Sequence, residues 1–481
     1  MPTWFSEARL QRGADCLWGL VLLSMPVTTF RYLPRVFGQT QVKPLAFYPL
    51  SLLVIVLTVL VWRRRRLPLP ANSAPLLAFL LIAALSSAMG LLLAPVPLRA
   101  FAYEERVVRA WISLAIGLVF FAAAFLMNRN EADLRRSLRW LYAGLALTIL
   151  WSLVQALAIN TPLLSHAFID RIQFLFSDIG VQARRVVGFA YEPAWLSDQM
   201  LLFYTPWLLA ALLTGYTLFK RNWVEGLLLG LCLVVVLFTF SRSGLAIAAV
   251  AGAATLLTVG RAGLGRLWAW FRGPLRHRRL DAALLLRLGI VLALALAAVA
   301  AVRFLSSYEY ITNLFDIEHD ETFVEYLVDI SAGPRLAYTL AGYQVFERAP
   351  LTGVGFGGSG LYLFDYFAEW SYTIPEIAKQ LAPEANIVPN TKSLYMRLLA
   401  ETGLPGFWAF MAYLLSFLAM LRRMWHSADL ALRYVAVAGV FAWVGFALRN
   451  LTQDSLTFPI MWVMFGMLAG LATTHQQKVN V

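Results

Sequence analysis

The sequence predicts an all-α polytopic membrane protein that forms one membrane domain over residues 1–481. The first observation is composition: 60% of the residues are hydrophobic and 14% are charged, whereas soluble chains are about half apolar and a quarter charged. The second is a series of apolar runs about twenty residues long, the length that a helix needs to cross the hydrocarbon core. The third is a formal net charge of +13 that is gathered in a few short segments between those runs.

The apolar runs predict about twelve transmembrane helices. Pro26 and Arg31 crowd the end of the first run, and a proline-rich stretch at 68–75 forms only a short turn between two others. We expect no cleaved signal peptide, because no small-residue cleavage site follows the first apolar stretch. The predicted spans cover residues 14–31, 43–62, 74–94, 107–127, 137–157, 195–215, 223–240, 243–260, 282–304, 404–422, 431–449 and 455–474.

Basic residues decide the predicted orientation of these spans. Four arginines at 63–66 follow the second span, and residues 261–280 contain six arginines and no acidic residue. Further basic residues flank spans five, seven and ten, and alternating spans place all of these ends on one side. Since cytoplasmic segments are enriched in Lys and Arg, we expect that side, with both termini, to be cytoplasmic. The basic charge therefore indicates contact with the lipid bilayer and not with nucleic acid.

The same orientation places two long segments outside the membrane, 158–194 and 306–392. The second contains twelve acidic and four basic residues, together with the aromatic stretch YLFDYFAEWSY at 362–372. A connection of this length is usually functional, and we expect the 306–392 loop to contain short amphipathic helices and part of the active site. Cys16 and Cys232 lie inside predicted spans, and five scattered histidines lack zinc-site spacing, so we expect neither a disulfide nor a metal site.

The stretch FTFSRSGLA at 238–246 places one arginine within about forty otherwise apolar residues. The predicted spans put Arg242 in an external turn, where a charge costs a few kcal/mol or less. Snorkelling arginines usually lie in clusters on the cytoplasmic side, whereas Arg242 is alone on the depleted side. Ser241, Ser243 and Gly244 add hydroxyls and an open backbone at a helix start, where free N–H groups favour an anion.

Three further external stretches bring basic residues to helix starts. Arg184 and Arg185 precede span six, and Glu192 with the proline that follows it suits the first turn of that span. Arg335 lies on the first turn of a predicted helix at 335–348. Lys392 precedes a predicted helix at 393–402. Four loops thus bring Arg or Lys to one face, and such a cluster without metal ligands suits a diphosphate, which arginine binds through two N–H groups.

Several of these residues also have a purely structural interpretation. Glu192 can cap a helix, Glu401 can form hydrogen bonds at the end of the 393–402 helix, and Lys392 can be a surface charge. The glycine run at 353–360 lacks the spacing of a nucleotide-binding loop and favours a flexible turn. The aromatic residues at 362–372 form either the core of the loop or a surface on which sugars stack.

Four motifs follow one another between about residues 185 and 406. They read R-x-x-G-F…P, S-R-S-G, R…P-L-x-G-V-G-x-G and E-x-G-x-x-G, and the first five spans carry no specific motif. In this order they resemble the O-antigen ligase/polymerase superfamily of bacterial membrane glycosyltransferases. The residues that carry the resemblance are Arg185, Gly188, Phe189, Glu192 and Pro193; Ser241, Arg242, Ser243 and Gly244; Arg335, Pro350, Leu351, Gly353, Val354, Gly355 and Gly357; and Glu401, Gly403 and Gly406.

The resemblance implies a metal-independent, inverting glycosyltransferase of the bacterial inner membrane that needs no cofactor. Its donor would be an oligosaccharide on undecaprenyl diphosphate at the outer leaflet. A polymerase transfers that glycan to another lipid-linked chain, whereas a ligase transfers it to lipid A–core. Chain-length regulator and flippase proteins are the implied partners.

One departure from the family separates these alternatives. Family ligases carry a histidine near the start of the helix that leads to the E-x-G motif, and here Lys392 holds that place. A protonated lysine is a poor base, which favours a polymerase over a ligase. A transporter or flippase of lipid-linked sugars is the alternative from another class, because twelve spans suit one, although few ionisable residues lie near the predicted midplane.

The resemblance and the charge pattern together assign roles to residues. Arg185, Arg242 and Arg335 would stabilise the leaving diphosphate, with Lys392 as an accessory. Glu192 would act as the general base for the acceptor hydroxyl. The remaining predicted substrate-binding residues are Arg184, Ser241, Ser243, Tyr366, Trp370, Tyr372 and Glu401.

Overall fold

The computed structural model of the protein is helical throughout. It describes residues 6–33, 42–65, 68–70, 72–92, 95–99, 101–221, 223–275, 282–313, 322–330, 332–382, 384–385 and 387–479. Nineteen α-helices and no β-strand occur within these ranges. In chain order they are α1 (Glu7–Ser24), α2 (Phe47–Arg64), α3 (Ser73–Leu92), α4 (Tyr103–Met127), α5 (Glu131–Asn160), α6 (His166–Gln173), α7 (Pro193–Asp198), α8 (Thr205–Thr214), α9 (Trp223–Thr239), α10 (Arg242–Thr258), α11 (Arg261–Leu275), α12 (Ala282–Ser306), α13 (Glu309–Thr312), α14 (Phe323–Asp329), α15 (Gly333–Arg348), α16 (Pro375–Leu381), α17 (Leu394–Trp425), α18 (Leu430–Arg449) and α19 (Pro459–Val479).

Each predicted span coincides with a helix or a pair of helices. Among the described residues, eight helical segments are long and apolar enough to cross a membrane. Three shorter apolar helices, α9, α10 and the first part of α19, coincide with further predicted spans. Helix α1 is not among either group, because its first half carries Glu7, Arg9, Arg12 and Asp15. The all-α membrane class is confirmed, while the count of about twelve and the orientation stay predictions.

Glycines let long helices pack closely. Helix α4 lies along α19, α3 along α17 and α10 along α18. Gly466 and Gly470 of α19 face the main chain of α4, where a Cβ would overlap the carbonyl oxygens of Phe121 and Asn128. Small residues at such contacts allow backbones to approach, which is how helices associate in lipid.

The most enclosed span is the segment Pro193–Thr214, whose apolar window is 89% buried. A single π-helical turn, Gln199–Tyr204, joins α7 to α8, and all of its residues are buried. The Met200 carbonyl accepts the Thr205 amide across this wider turn and also accepts from Thr205 Oγ1 at 2.9 Å. Such turns inside α-helices often accompany functional sites, and this one follows α7, the helix that comes after the loop carrying Arg185.

The predicted helix at 393–402 and the predicted span at 404–422 form the two halves of α17. Gly403 adopts φ 64° and ψ −172°, and Pro405 follows it inside the helix. Only glycine takes this backbone geometry without strain, so the helix bends at Gly403. The break predicted between the two segments is therefore present.

The described part of the 306–392 loop is folded around its own small apolar core. Helix α15 confirms the helix predicted at 335–348 and begins two residues earlier, with Pro334 in its first turn. Tyr338, Val345 and Leu363 are fully buried there, and α15 packs against α17. Some predicted charges of this loop and of the basic segments lie outside the described residues: Asp316, Glu318, Asp320, Glu321, Arg66, Arg276, Arg278 and Arg279.

Candidate active site

The SRSG turn is a helix N-terminus that is held from two sides. Ser241 is the N-cap of α10, and its Oγ accepts a hydrogen bond from the Gly244 amide at 3.2 Å. Gly244 lies against Ser197 of α7, where a Cβ would overlap the serine hydroxyl. Arg242 begins α10, and its guanidinium donates to the Ile330 carbonyl between α14 and α15. The turn therefore joins the membrane bundle to the folded loop.

Arg185 lies on the same turn, on the side of α9. The Val186 amide donates to the Phe238 carbonyl at 3.1 Å, and Arg185 Nε donates to the Thr239 carbonyl at 2.8 Å. Since Thr239 ends α9 and Arg242 begins α10, the two arginines meet at one connection. Arg184, the neighbouring residue, is exposed.

Two fully buried glutamines hold the loop that carries Arg185. Gln155 Oε1 accepts hydrogen bonds from the amides of Val187, at 3.1 Å, and Gly188, at 2.8 Å. The side-chain amides of Gln155 and Gln173 both donate to the Gly188 carbonyl, at 3.1 and 3.3 Å. Gly188 has φ +57°, a conformation that L side chains rarely adopt. We call Gln155 and Gln173 the glutamine clamp; sequence analysis missed it because lone glutamines in a span and a loop carry no motif.

The two other predicted cations lie on α15 and just before α17. Arg335 is exposed on the first turn of α15, five residues after the Ile330 carbonyl. Tyr338 follows one turn later, and Lys392 Nζ lies 5.3 Å from the centroid of its ring. Lys392 also forms an ion pair with Glu376 at 3.1 Å. We call Arg185, Arg242, Arg335 and Lys392 the cation strip, because Arg242 contacts the segment just before Arg335 and Lys392 contacts the helix that Arg335 begins.

Glu192 occupies the N-cap position of α7. Its carbonyl accepts from the Trp195 and Leu196 amides, both at 3.1 Å, while its carboxylate makes no capping hydrogen bond. Burial, together with the nearby Glu192 carboxylate, raises the pKa of the Tyr191 phenol. The Glu192 side chain is thus half-buried on the loop of Arg185 without the capping role that the structural interpretation gives it.

The glycine run packs on Glu401 main chain to main chain. The amides of Val354 and Gly355 donate to the carbonyls of Ala400, at 2.9 Å, and Glu401, at 3.2 Å. Gly353 has φ +67°, and a Cβ on it would overlap the main chain of Glu401. The run is accordingly a tight turn whose glycines allow close approach rather than a flexible one. The Glu401 carboxylate is 1% exposed and accepts from Ser359 Oγ at 2.8 Å and Arg397 Nε at 3.1 Å.

A cavity of about 250 Å³ lies beside Glu401, and none of the strip cations lines it. Arg397 Nη1 donates to the Asp454 carbonyl at 2.9 Å across one side of it. Burial raises the pKa of the Asp454 carboxyl, and the positive charges of Arg397 and Lys392 act in the opposite direction. Its polar lining residues include Arg106, Arg109, Ser359, Arg397, Glu401 and Asp454.

Sequence analysis missed Arg106, Arg397 and Asp454. Arg397 and Glu401 are four residues apart on a predicted helix, and this spacing could have predicted their ion pair. Arg106 and Asp454 lie at the edges of separate spans, and the packing of α4 against α19 brings them to one cavity. Among the described residues, His, Cys, Asp and Glu form no group of three that could hold a metal ion.

The aromatic stretch divides into buried and exposed members. Tyr366 and Trp370 pack against the core of the loop, where Phe367 contacts Tyr338 at 5.3 Å between ring centroids. Tyr372 is 45% exposed. The stretch is therefore mainly loop core, and Tyr372 offers the widest ring surface of the three predicted stacking residues.

A comparison with known families adds an independent finding. A family model described as O-Antigen ligase matches residues 227–411. The matched region begins in α9, ends within α17 and includes Arg242, Arg335, Lys392 and Glu401. No curated protein matches the chain.

Proposed function

We propose that the chain, which resembles the O-antigen ligase/polymerase superfamily and matches an O-Antigen ligase family model at residues 227–411, is a polymerase of oligosaccharide repeat units carried on undecaprenyl diphosphate. The family indicates a membrane glycosyltransferase of the O-antigen ligase type. The observation that carries the finer proposal is the cation strip, to which the Arg185 loop, the α9–α10 turn and the 306–392 loop all contribute positive charge. A diphosphate leaving group requires charge of this kind.

The proposed reaction joins two lipid-linked chains. The acceptor hydroxyl oxygen bonds to the anomeric carbon of the donor while the bond from that carbon to the diphosphate oxygen breaks. The electron pair of the broken bond stays on the diphosphate, and the hydroxyl proton passes to a base. Attack from the face opposite the leaving group inverts the configuration at the anomeric carbon.

The arginines of the strip stabilise the charge that develops on the diphosphate, in a role that Mg²⁺ fills in other phosphate enzymes. Arg185 and Arg242 meet at the α9–α10 connection and Arg335 approaches through the loop, so a diphosphate held there contacts fixed donors. Ser241 and Ser243 add hydroxyls at the same helix start, and Arg184 adds charge beside it. We assign the reaction as metal-independent on this basis.

Glu192 is the proposed general base. It lies on the loop of Arg185, and its carboxylate is not engaged as a helix cap. A carboxylate close to the leaving group is suited to accept the hydroxyl proton as the new bond forms. Tyr372 is the proposed stacking residue for a sugar of the growing chain, with Tyr366 and Trp370 supporting the surface from below.

The setting of Lys392 favours a polymerase over a ligase. Its ion pair with Glu376 and its position over the Tyr338 ring both stabilise the charged ammonium. A charged ammonium binds phosphate and does not accept a proton, so it does not replace the histidine of family ligases. Transfer to lipid A–core is the alternative within the same chemistry. The buried ion pair of Asp198 with Arg449 at 2.7 Å ties α7 to α18, which argues against Asp198 as a mobile carrier in a transporter.

The proposed setting is the outer leaflet of the bacterial inner membrane, with both termini in the cytoplasm. A flippase must deliver the lipid-linked donor to that leaflet. A chain-length regulator is the proposed partner for termination. We propose these two partners because the reaction consumes a lipid-linked donor and elongates a lipid-linked chain.

Purified protein incubated with undecaprenyl-diphosphate-linked repeat unit tests this proposal. We expect a ladder of longer glycans that a chelator leaves unchanged. Arg242→Ala should reduce chain growth by about 10²–10³-fold, the usual loss when one donor to a developing charge is removed. Arg31→Ala is the matched control, because Arg31 also donates to a loop carbonyl, that of Phe174 at 3.0 Å, but lies outside the strip.

Three outcomes would contradict the proposal. Normal chain length in Arg242→Ala would remove the strip from the reaction. Transfer only to lipid A–core would replace the polymerase with the ligase. Movement of the intact lipid-linked unit across a bilayer without any new glycosidic bond would replace both with a transporter.

A further inference from the structure

The cavity beside Glu401 differs in charge from the cation strip. Arg397 is matched by the Glu401 carboxylate at 3.1 Å, and Arg109 is matched by Glu105 at 2.5 Å. Arg106 and Asp454, the two remaining charged groups that line the cavity, have opposite signs. The cavity is therefore close to neutral, and two of its lining residues are carboxylates. Three arginines and two carboxylates line the cavity, and two of the arginines are already paired, so little positive charge is left for a diphosphate and the cavity suits an uncharged ligand.

Two of its polar groups have hydrogen-bonding capacity to spare. Arg106 Nε is buried and makes no hydrogen bond to the described residues. The Asp454 carboxylate is half-buried and forms a hydrogen bond with its own backbone, which leaves further lone pairs, and the Asp454 carbonyl is held by Arg397. Buried polar groups normally have partners, and the unpaired Arg106 Nε beside a carboxylate with lone pairs to spare predicts a ligand that both accepts and donates hydrogen bonds. The hydroxyls of Ser359 and Ser455 also line the cavity.

The volume of the cavity limits the size of that ligand. About 250 Å³ is below the range of about 300–1,000 Å³ of sites for drug-sized molecules. It corresponds to roughly eight water molecules at about 30 Å³ each, which is the scale of one pyranose ring with its hydroxyls. Sugar hydroxyls both donate and accept, so a carboxylate and a guanidinium side by side can hold neighbouring hydroxyls of one ring.

We propose that this cavity is the subsite for one sugar of the acceptor, bound through Arg106 and Asp454. Glu401 and Arg397 act as positioning residues, since Glu401 holds Arg397 and Arg397 holds the Asp454 main chain. That the bound sugar belongs to the acceptor rests on the proposed function. That the cavity binds a sugar does not. It separates the two substrates by charge: the diphosphate binds on the strip and the neutral ring binds in the cavity.

The elevated pKa of Asp454 sets the pH range in which the site binds. Burial raises it, Arg397 and Lys392 oppose that effect, and Glu401 adds to it. The ionised carboxylate, the stronger acceptor, is lost as the pH falls through this raised pKa. We therefore expect sugar binding to weaken in mild acid, at a higher pH than an exposed aspartate would show.

Two probes on the purified full chain test the subsite. The first is saturation-transfer NMR with a panel of free pyranose monosaccharides, and the second is binding of inorganic pyrophosphate. We expect at least one sugar to bind, and Asp454→Asn and Arg106→Gln each to weaken it by about tenfold or more, as for loss of a hydrogen bond to a charged group. Both variants should still bind pyrophosphate, which also shows that they fold. Arg242→Ala should lose pyrophosphate binding.

These binding experiments can fail or succeed independently of the polymerase assay. Sugar binding that Asp454→Asn removes, in a chain that forms no polymer, keeps the subsite and overturns the proposed reaction. Absence of any sugar signal in the wild-type chain overturns the subsite. So does equal loss of pyrophosphate binding in Asp454→Asn and Arg242→Ala, because the cavity would then be part of the anion site. Where chain growth is measurable, Asp454→Asn should raise the acceptor KM more than it lowers kcat.

Discussion

Replacing Gln155 with leucine should disorder the Arg185 loop while leaving the membrane bundle folded. The side-chain oxygen of Gln155 accepts from two buried amides, those of Val187 and Gly188. Leucine has similar volume but no acceptor, so both amides lose their partner in a site that water does not reach. Each unpaired buried donor costs about 1–3 kcal/mol, and the pair costs about 2–6 kcal/mol.

The lower limit of that range sets the expected effect. About 2 kcal/mol corresponds to roughly thirtyfold in the population of the ordered loop. Arg185 donates to the Thr239 carbonyl only when the loop lies on α9, so its contribution to the strip should fall with that population. We expect chain growth to decrease by roughly thirtyfold or more in Gln155→Leu.

Two measurements check this reasoning. Hydrogen exchange of the peptide 184–192 should become faster in Gln155→Leu, and the thermal midpoint of the bundle should change little. Gln155→Glu, which keeps the acceptor oxygens and loses the donated bond to the Gly188 carbonyl, should lie between wild type and Gln155→Leu. Gln182→Leu is the control, because Gln182 is exposed on the same loop. Unchanged exchange and unchanged chain growth in Gln155→Leu would refute the role of the clamp.

Two further expectations concern other parts of the fold. Gly353→Ala should lower the thermal midpoint of unfolding, because the added Cβ overlaps the main chain of Glu401 and the backbone has φ +67°. Gly230→Ala is the control and should leave the midpoint unchanged, because Gly230 has open space around it. Equal midpoints in the two variants would show that the turn can move. Glu325 has a pKa lowered by its hydrogen bonds with Thr322, so the cap stabilises α14 above the usual glutamate pKa and is lost as the pH falls through the lowered value. Exchange protection of α14 measured against pH should show this loss in acid, and Thr322→Ala should abolish the pH dependence; a pH-independent wild type would contradict it.

The strip and the cavity have different origins in the chain. The strip is built from helix starts and short motifs, so each of its cations was visible in the sequence before its neighbours were known. The cavity is built from residues at the ends of spans that are far apart in sequence, such as Arg106 and Asp454. These residues can bind one ligand together only because the fold places them side by side.

The glycine run and the kink of α17 illustrate the same division. The sequence predicted a turn at 353–360 and a break after the 393–402 helix, because glycine acts on the backbone locally. It did not indicate that the two features touch, with the Gly355 amide on the Glu401 carbonyl at 3.2 Å. Glu401 was predicted as substrate-binding, and the structure places its carboxylate between Arg397 and Ser359.

By itself the sequence determined the membrane class, the positions of the long apolar helices, the helix at 335–348 and the helix start at Arg242. Hydropathy, basic clusters and helix-start residues are properties of short segments, and a membrane forces each apolar segment to satisfy its own backbone as a helix. Only the tertiary structure decided that Gln155 holds the Arg185 loop, that the aromatic stretch is mostly core, and that Arg106 and Asp454 share a cavity. These depend on which helices pack together, and side-chain contacts across hundreds of residues leave no pattern in a single chain.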